Sequence, residues 1–223
     1  AMFLVKDKKG EDKEADKLTA KEMLIEFARG ITILKNPQIA IASVVRTINQ
    51  LALFGLVVIM PIVFTDTVGF TTSEWLRIWG LMYIVTIFTN LFWGVVGDKI
   101  GWVRQVRWFG CIGMVISTLA FYYLPIWSGP NIWIAGSVAV MFGFAVAAFV
   151  PMSAIFPILE PNHKGAAVSI HNLSAGLSNF IGPAIATITV PIAGPELTIW
   201  TYAIIYFIGF ILTFFMKVNQ PNH

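Results

Sequence analysis

The sequence predicts an all-α membrane protein of six transmembrane helices preceded by a cytoplasmic amphipathic helix. Three observations predict it. The 223-residue chain is 57% hydrophobic and 12% charged, with a mean hydropathy of +0.76, which is more apolar surface than a soluble domain of this size can bury. Its apolar residues fall into stretches of roughly 20 or more, the length that carries a helix across a bilayer. Between the stretches stand Gly, Pro and Asn breakers, with basic residues concentrated at alternate joints.

Residues 1–36 form a cytoplasmic tether and helix. Ala1–Val5 is apolar but is followed at once by the mixed-charge run Lys6–Glu14, so no secretory signal is expected there, and Ala1-Met2 reads as a cloning remnant or a truncated start. Thr19 and Glu22 have capping-box spacing. Met23, Leu24, Phe27, Ala28 and Ile31 then recur on one helical face opposite Lys21, Glu26 and Arg29, so this helix lies along the membrane surface or on the cytoplasmic loops. Asn36-Pro37 ends it and starts the membrane domain.

The membrane domain covers 37–217, with a short tail at 218–223. Six spans are expected at Gln38–Thr65, Glu74–Gly97, Gln105–Pro125, Asn131–Leu159, Lys164–Ile192 and Glu196–Met216. The joints are Val68-Gly69-Phe70-Thr71, Ser128-Gly129-Pro130-Asn131, Glu160-Pro161-Asn162-His163 and Ala193-Gly194-Pro195. With the amino terminus inside, Lys99, Arg104, Arg107, Lys164, Lys217 and the tether are cytoplasmic, while the opposite loops keep only Arg77 beside Asp66, Glu74 and Glu196. Both termini are therefore expected in the cytoplasm. The third and sixth spans have few deep polar groups and are expected to face lipid. In the fourth, Phe149, Pro151, Met152, Phe156 and Pro157 predict an interrupted helix, either a gate or a static kink.

Several function classes are excluded. The sequence pI of about 9.0 comes from basic residues beside the spans and not from a nucleic-acid-binding pattern. No zinc-protease spacing, phosphate-binding glycine-lysine loop or serine-histidine-acid set is present, so neither catalysis nor a cofactor is expected. The single cysteine, Cys111, excludes an intrachain disulfide.

Between the second and third spans, Gly94, Asp98, Lys99, Gly101 and Arg104 form the pattern G-x3-D-K-x-G-x2-R. This resembles the cytoplasmic loop signature of the major facilitator superfamily. Further stretches resemble the bacterial pentitol permeases for ribitol and D-arabitol: Gly69–Leu76, Arg107–Met114, Ala120–Pro125, Glu160–Ala167 and Asn172–Phe180. The resemblance implies the carboxyl-terminal six-helix half of a major facilitator fold in the inner membrane of a bacterium, with the charged tether matching the family's central loop. It further implies a secondary transporter moving a polyol by alternating access with a second six-helix half or a homodimer mate, and it leaves proton coupling open. A non-transporting scaffold bundle is the alternative.

Polar residues within the spans mark the candidate site, because a charge at membrane depth costs ~2.5–3.5 kcal/mol on insertion scales and needs a cavity or a partner. Arg46, Asn49 and Gln50 share one face of the first span, although Arg46 could instead snorkel to the headgroups. Tyr83, Thr86, Asn90 and Trp93 form a stripe on the second span, with Tyr83 and Trp93 suiting an interfacial belt equally well. On the fifth, Ser169, Asn172, Gly176, Asn179 and Pro183 form a polar repeat; Asn172 and Asn179 are the substrate candidates, against interhelical hydrogen bonding, and His171 reads as a packed or hydrogen-bonded residue, with a proton carrier as the alternative. Amides carry both donors and an acceptor without charge, which suits the hydroxyls of a neutral polyol. No carboxylate lies at mid-membrane, since Asp98, Glu160 and Glu196 all sit at span ends.

Overall fold

The computed structural model describes residues 32–220. The tether and most of the expected amphipathic helix lie outside the described residues. Five helices are long and apolar enough to cross a membrane: α1 Pro37–Val68, α2 Thr72–Ile100, α3 Trp102–Ser128, α4 Ile132–Leu159 and α5 Pro161–Leu212.

Local chemistry sets the helix starts. Asn36 accepts the Gln38 amide at 3.0 Å, and Pro37 occupies the first turn, where a missing N–H costs nothing. Thr71 and Glu74 form a reciprocal capping box at the head of α2, with Thr71 N donating to Glu74 Oε2 at 2.9 Å. Asn131 caps α4 by accepting the Trp133 amide at 3.0 Å. The turn from α2 into α3 needs Gly101, whose φ of +97° lies where a side chain would be strained.

The fifth helix runs through the residues of both the fifth and sixth expected spans. Ala193 (φ −149°, ψ 28°) and Gly194 (φ 75°, ψ −176°) leave the helical region. Tyr202 Oη donates to the carbonyl of Gly182 at 2.7 Å, although twenty residues of straight helix would separate them by about 30 Å. The chain therefore folds back at the Ala193-Gly194 break. Thr189 and Thr198 close this hairpin with a hydroxyl contact of 2.6 Å.

The first span is also stepped, which the sequence reading did not anticipate. Gln50 (φ −109°, ψ 7°) divides α1 into Pro37–Asn49 and Leu51–Ile62. The backbone groups released there are taken up by Tyr206, which donates to Asn49 O at 3.0 Å and accepts from Ala52 N at 3.2 Å. Close packing makes this reach possible. A Cβ on Gly182 would meet Leu51 O at 2.5 Å, so only glycine lets α5 approach α1 so closely.

That arrangement corrects the expectation that the third and sixth spans simply face lipid. Thr198, Ile199, Tyr202 and Tyr206 of α5 are fully buried, as are Met114, Ser117, Thr118 and Phe121 of α3. Their hydroxyls and aromatic rings pack inward, and residues such as Trp127, Ile204 and Phe207 cover the outer faces. At the Gly69 end, the Phe64 ring lies 4.8 Å from Trp75 and 5.4 Å from Phe121, joining α1, α2 and α3 through aromatic pairs. At the opposite end, Arg107 donates to the hydroxyl and carbonyl of Thr213 at 3.0 and 2.9 Å. Gln38 holds the following residues, donating to Phe215 O at 3.1 Å and accepting from Lys217 N at 2.6 Å.

Candidate transport cleft

The interruption predicted in α4 organises the site. Pro151 has no N–H to donate, and the amides of Ala148, Val150 and Met152 turn back three residues, to Ala145, Ala147 and Phe149. The carbonyls of Phe144 and Ala148 thereby lose their helical donors, and Val146 O is left with the three-residue bond from Phe149 N at 3.4 Å. A side chain from a different helix serves each one: Trp93 Nε1 donates to Phe144 O at 2.8 Å, Asn49 Nδ2 to Val146 O at 3.4 Å and Gln105 Nε2 to Ala148 O at 3.0 Å. Broken helices are tolerated at membrane depth where neighbours satisfy them in this way.

A cleft of about 260 Å³ opens beside the break. Its polar lining comes from Arg46, Asn49 and Gln50 of α1, Thr86 and Asn90 of α2, Ser153 of α4 and His171 of α5. Arg46 Nε donates to His171 Nε2 at 3.0 Å. Its Nη1 donates to Asn49 Oδ1 and, at 3.5 Å, to Gln50 Oε1. An imidazole that accepts at Nε2 carries its proton on Nδ1, which then donates to Asn172 Oδ1 at 3.2 Å. Phe156 packs edge-on against the same ring at 5.1 Å. Arg46 is thus engaged by neighbouring side chains of α1 and α5.

The sequence-predicted residues separate into two groups. Arg46, Asn49, Gln50 and Asn90 converge on the cleft. Trp93 does not line it: the ring is buried between α2, α3 and α4, 4.8 Å from Phe109 and 4.7 Å from Phe144. Tyr83 is exposed and meets Trp79 edge-on at 6.0 Å, so the stripe on α2 reaches the cleft only through Thr86 and Asn90. Asn172 and Asn179 are exposed outside the cleft, and Asn172 is connected to it through His171. Ser153 is not singled out by the sequence, and His171 is hydrogen-bonded, one of the roles its sequence context allows.

The loop signature has its own geometry. Asp98 Oδ1 accepts from Trp102 Nε1 at 2.9 Å. Gln220 bridges the turn, accepting from Trp102 N at 2.8 Å and donating to Gly97 O at 3.3 Å. The close approach in this motif is at Gly97, where a Cβ would meet Gln105 Oε1 at 2.7 Å, whereas a Cβ on Gly94 would meet open space. Lys99 and Arg104 are exposed.

Residues 42–223 match the Major Facilitator Superfamily, and the chain belongs to that family of multi-pass membrane transporters, not to an enzyme family. It is 52% identical to a ribitol transporter of Klebsiella pneumoniae over 206 residues, which is 92% of this chain and 48% of that protein. It is 49% identical to a D-arabinitol transporter of the same organism, again over 92% of this chain and 48% of the relative. An alpha-ketoglutarate permease of Bacillus subtilis (strain 168) is 39% identical over 100% of this chain and 50% of its own length. The chain spans about half the length of the curated relatives it matches.

Proposed function

We propose that this chain is one six-helix half of a secondary transporter for a polyol, built in the inner membrane of a bacterium with both termini in the cytoplasm. The Ala193-Gly194 break supports a count of six spans, since the chain reverses there. The ribitol and D-arabinitol transporters among the relatives support a pentitol as the substrate. The observation that carries the reading is the meeting of Gln50, Asn90 and Arg46 beside the α4 break. The cleft combines amides for hydroxyls with the apolar walls of Val146 and Phe149 for the carbon skeleton.

Alternating access follows from two conformations of the cleft in which a second six-helix unit closes one end or the other. That unit is a facing half or a second copy of this chain. The hydrogen bonds switched at residues 148–152 make α4 the element that bends, because its free carbonyls are held by side chains from three other helices. Among the described residues no acid lines the cleft, which favours a facing unit as the carrier of any proton coupling. Uptake of radiolabelled ribitol and D-arabitol into vesicles containing the assembled transporter tests the reading. Loss of uptake in Gln50→Ala, with normal insertion, supports it; wild-type uptake in both Gln50→Ala and Asn90→Ala contradicts it.

A further inference from the structure

The hydrogen bonds of Arg46 leave one side of its guanidinium unused. Nε and Nη1 are engaged, whereas Nη2 bonds to none of the described residues. The buried polar atoms that lack a partner among the described residues are Gln105 Oε1 and Thr118 Oγ1, so Nη2 is open to the cleft and not sealed in the core. The partners of Arg46 are all neutral. Among the described residues the one ion pair joins His163 to Glu160, which leaves the charge of Arg46 uncompensated. Its three acceptors, Asn49 Oδ1, Gln50 Oε1 and His171 Nε2, each already take one hydrogen bond from it.

The free capacity around Arg46 is therefore cationic and rich in donors. A hydroxyl, which donates as well as accepts, meets the guanidinium with only its accepting side; Asn90, which has no hydrogen-bond partner among the described residues, lines the same cleft. A carboxylate accepts only, and it matches the planar fork of a guanidinium. Membrane-embedded charges are rarely left without a counter-charge.

We propose that the open edge of Arg46 is a carboxylate-receiving point of the cleft. The carboxylate comes either from the transported polyhydroxy compound or from the facing six-helix unit, so the inference rests on the transporter-half reading and sharpens its substrate class. Ribitol and D-ribonate are suitable probes because they share five carbons and differ at one end. Calorimetric titration of the purified chain is expected to show D-ribonate binding at least tenfold more tightly than ribitol. Arg46→Gln is expected to erase that difference, and Arg46→Lys, which keeps the charge, to retain part of it while reporting that the fold tolerates substitution. Equal affinity for the two probes in the unsubstituted chain, or no binding of either, overturns the proposal.

The assembled transporter separates the two sources. A ribonate preference that persists there assigns the carboxylate to the substrate. A preference that disappears, with the thermal stability lost in Arg46→Gln regained when one embedded acid of the facing unit is also neutralised, assigns it to that unit. If neither result is obtained, no carboxylate meets Arg46 and the proposal falls. Binding of D-ribonate without any binding or uptake of ribitol would overturn the polyol reading while leaving this one standing.

Discussion

The Tyr206 hydroxyl bridges the step in α1, donating to the carbonyl of Asn49 at 3.0 Å. It also accepts the Ala52 amide at 3.2 Å, so a single side chain satisfies both backbone groups released where the helix shifts register. Asn49 is at the same time a cleft residue. The position of the cleft amides thus depends on a tyrosine near the carboxyl end of the chain.

Tyr206→Phe is expected to destabilise the bundle by about 1–3 kcal/mol, the cost of leaving buried backbone groups without partners. Thermal unfolding in detergent measures this. A melting temperature equal to that of the unsubstituted protein would show that the step does not need the hydroxyl.

Gly182→Val is expected to force α5 away from α1, since the added Cβ alone would lie 2.5 Å from Leu51 O. Overpacking of this kind costs about 1–3 kcal/mol or more. The measurement is the unfolding midpoint, accompanied by polyol uptake, and both should fall. A stable, active variant would mean that the two helices are not held so closely.

Trp93→Phe keeps an aromatic ring between α2 and α4 but removes the donor to Phe144 O, 2.8 Å away. A loss of about 1 kcal/mol is expected from one hydrogen bond. Substrate affinity should be almost unchanged, because the ring does not line the cleft. A large rise in KM with unchanged stability would instead make Trp93 a substrate contact.

If the second unit is another copy of this chain, Asp98 of each copy faces the start of α5 in its mate, where the helix dipole favours negative charge. Cysteines introduced at Lys99 and Gly165, both exposed, should then crosslink between chains. The native Cys111 is buried and does not interfere. A monomer at every concentration, without crosslinks, would assign the role to a different facing half.

The spans were legible because apolar length and breaker residues are local properties: Gly101, Asn131 and the Ala193-Gly194 joint lie where the sequence placed turns. The α4 interruption was legible for the same reason, through Pro151. What stayed hidden depends on pairing between distant segments. Nothing near Gln50 signals a step, because Tyr206 makes the step tolerable from 157 residues away. Spacing placed Trp93 on the same stripe as Asn90, but only the packing of α3 and α4 against α2 decides which of them is enclosed. Asn179 carries the same chemistry as Asn90 and differs from it in facing outside the cleft.

Asn90 lines the cleft beside the α4 break without a hydrogen-bond partner among the described residues, so removing its amide reports on whether substrate is held there. Initial rates of ribitol uptake should be compared for the assembled transporter and its Asn90→Ala variant at matched membrane levels. A fall in kcat/KM of about tenfold or more is expected, the loss that goes with a hydrogen bond of about 1.4 kcal/mol or more to substrate. Uptake by Asn90→Ala with unchanged kcat and KM would contradict it.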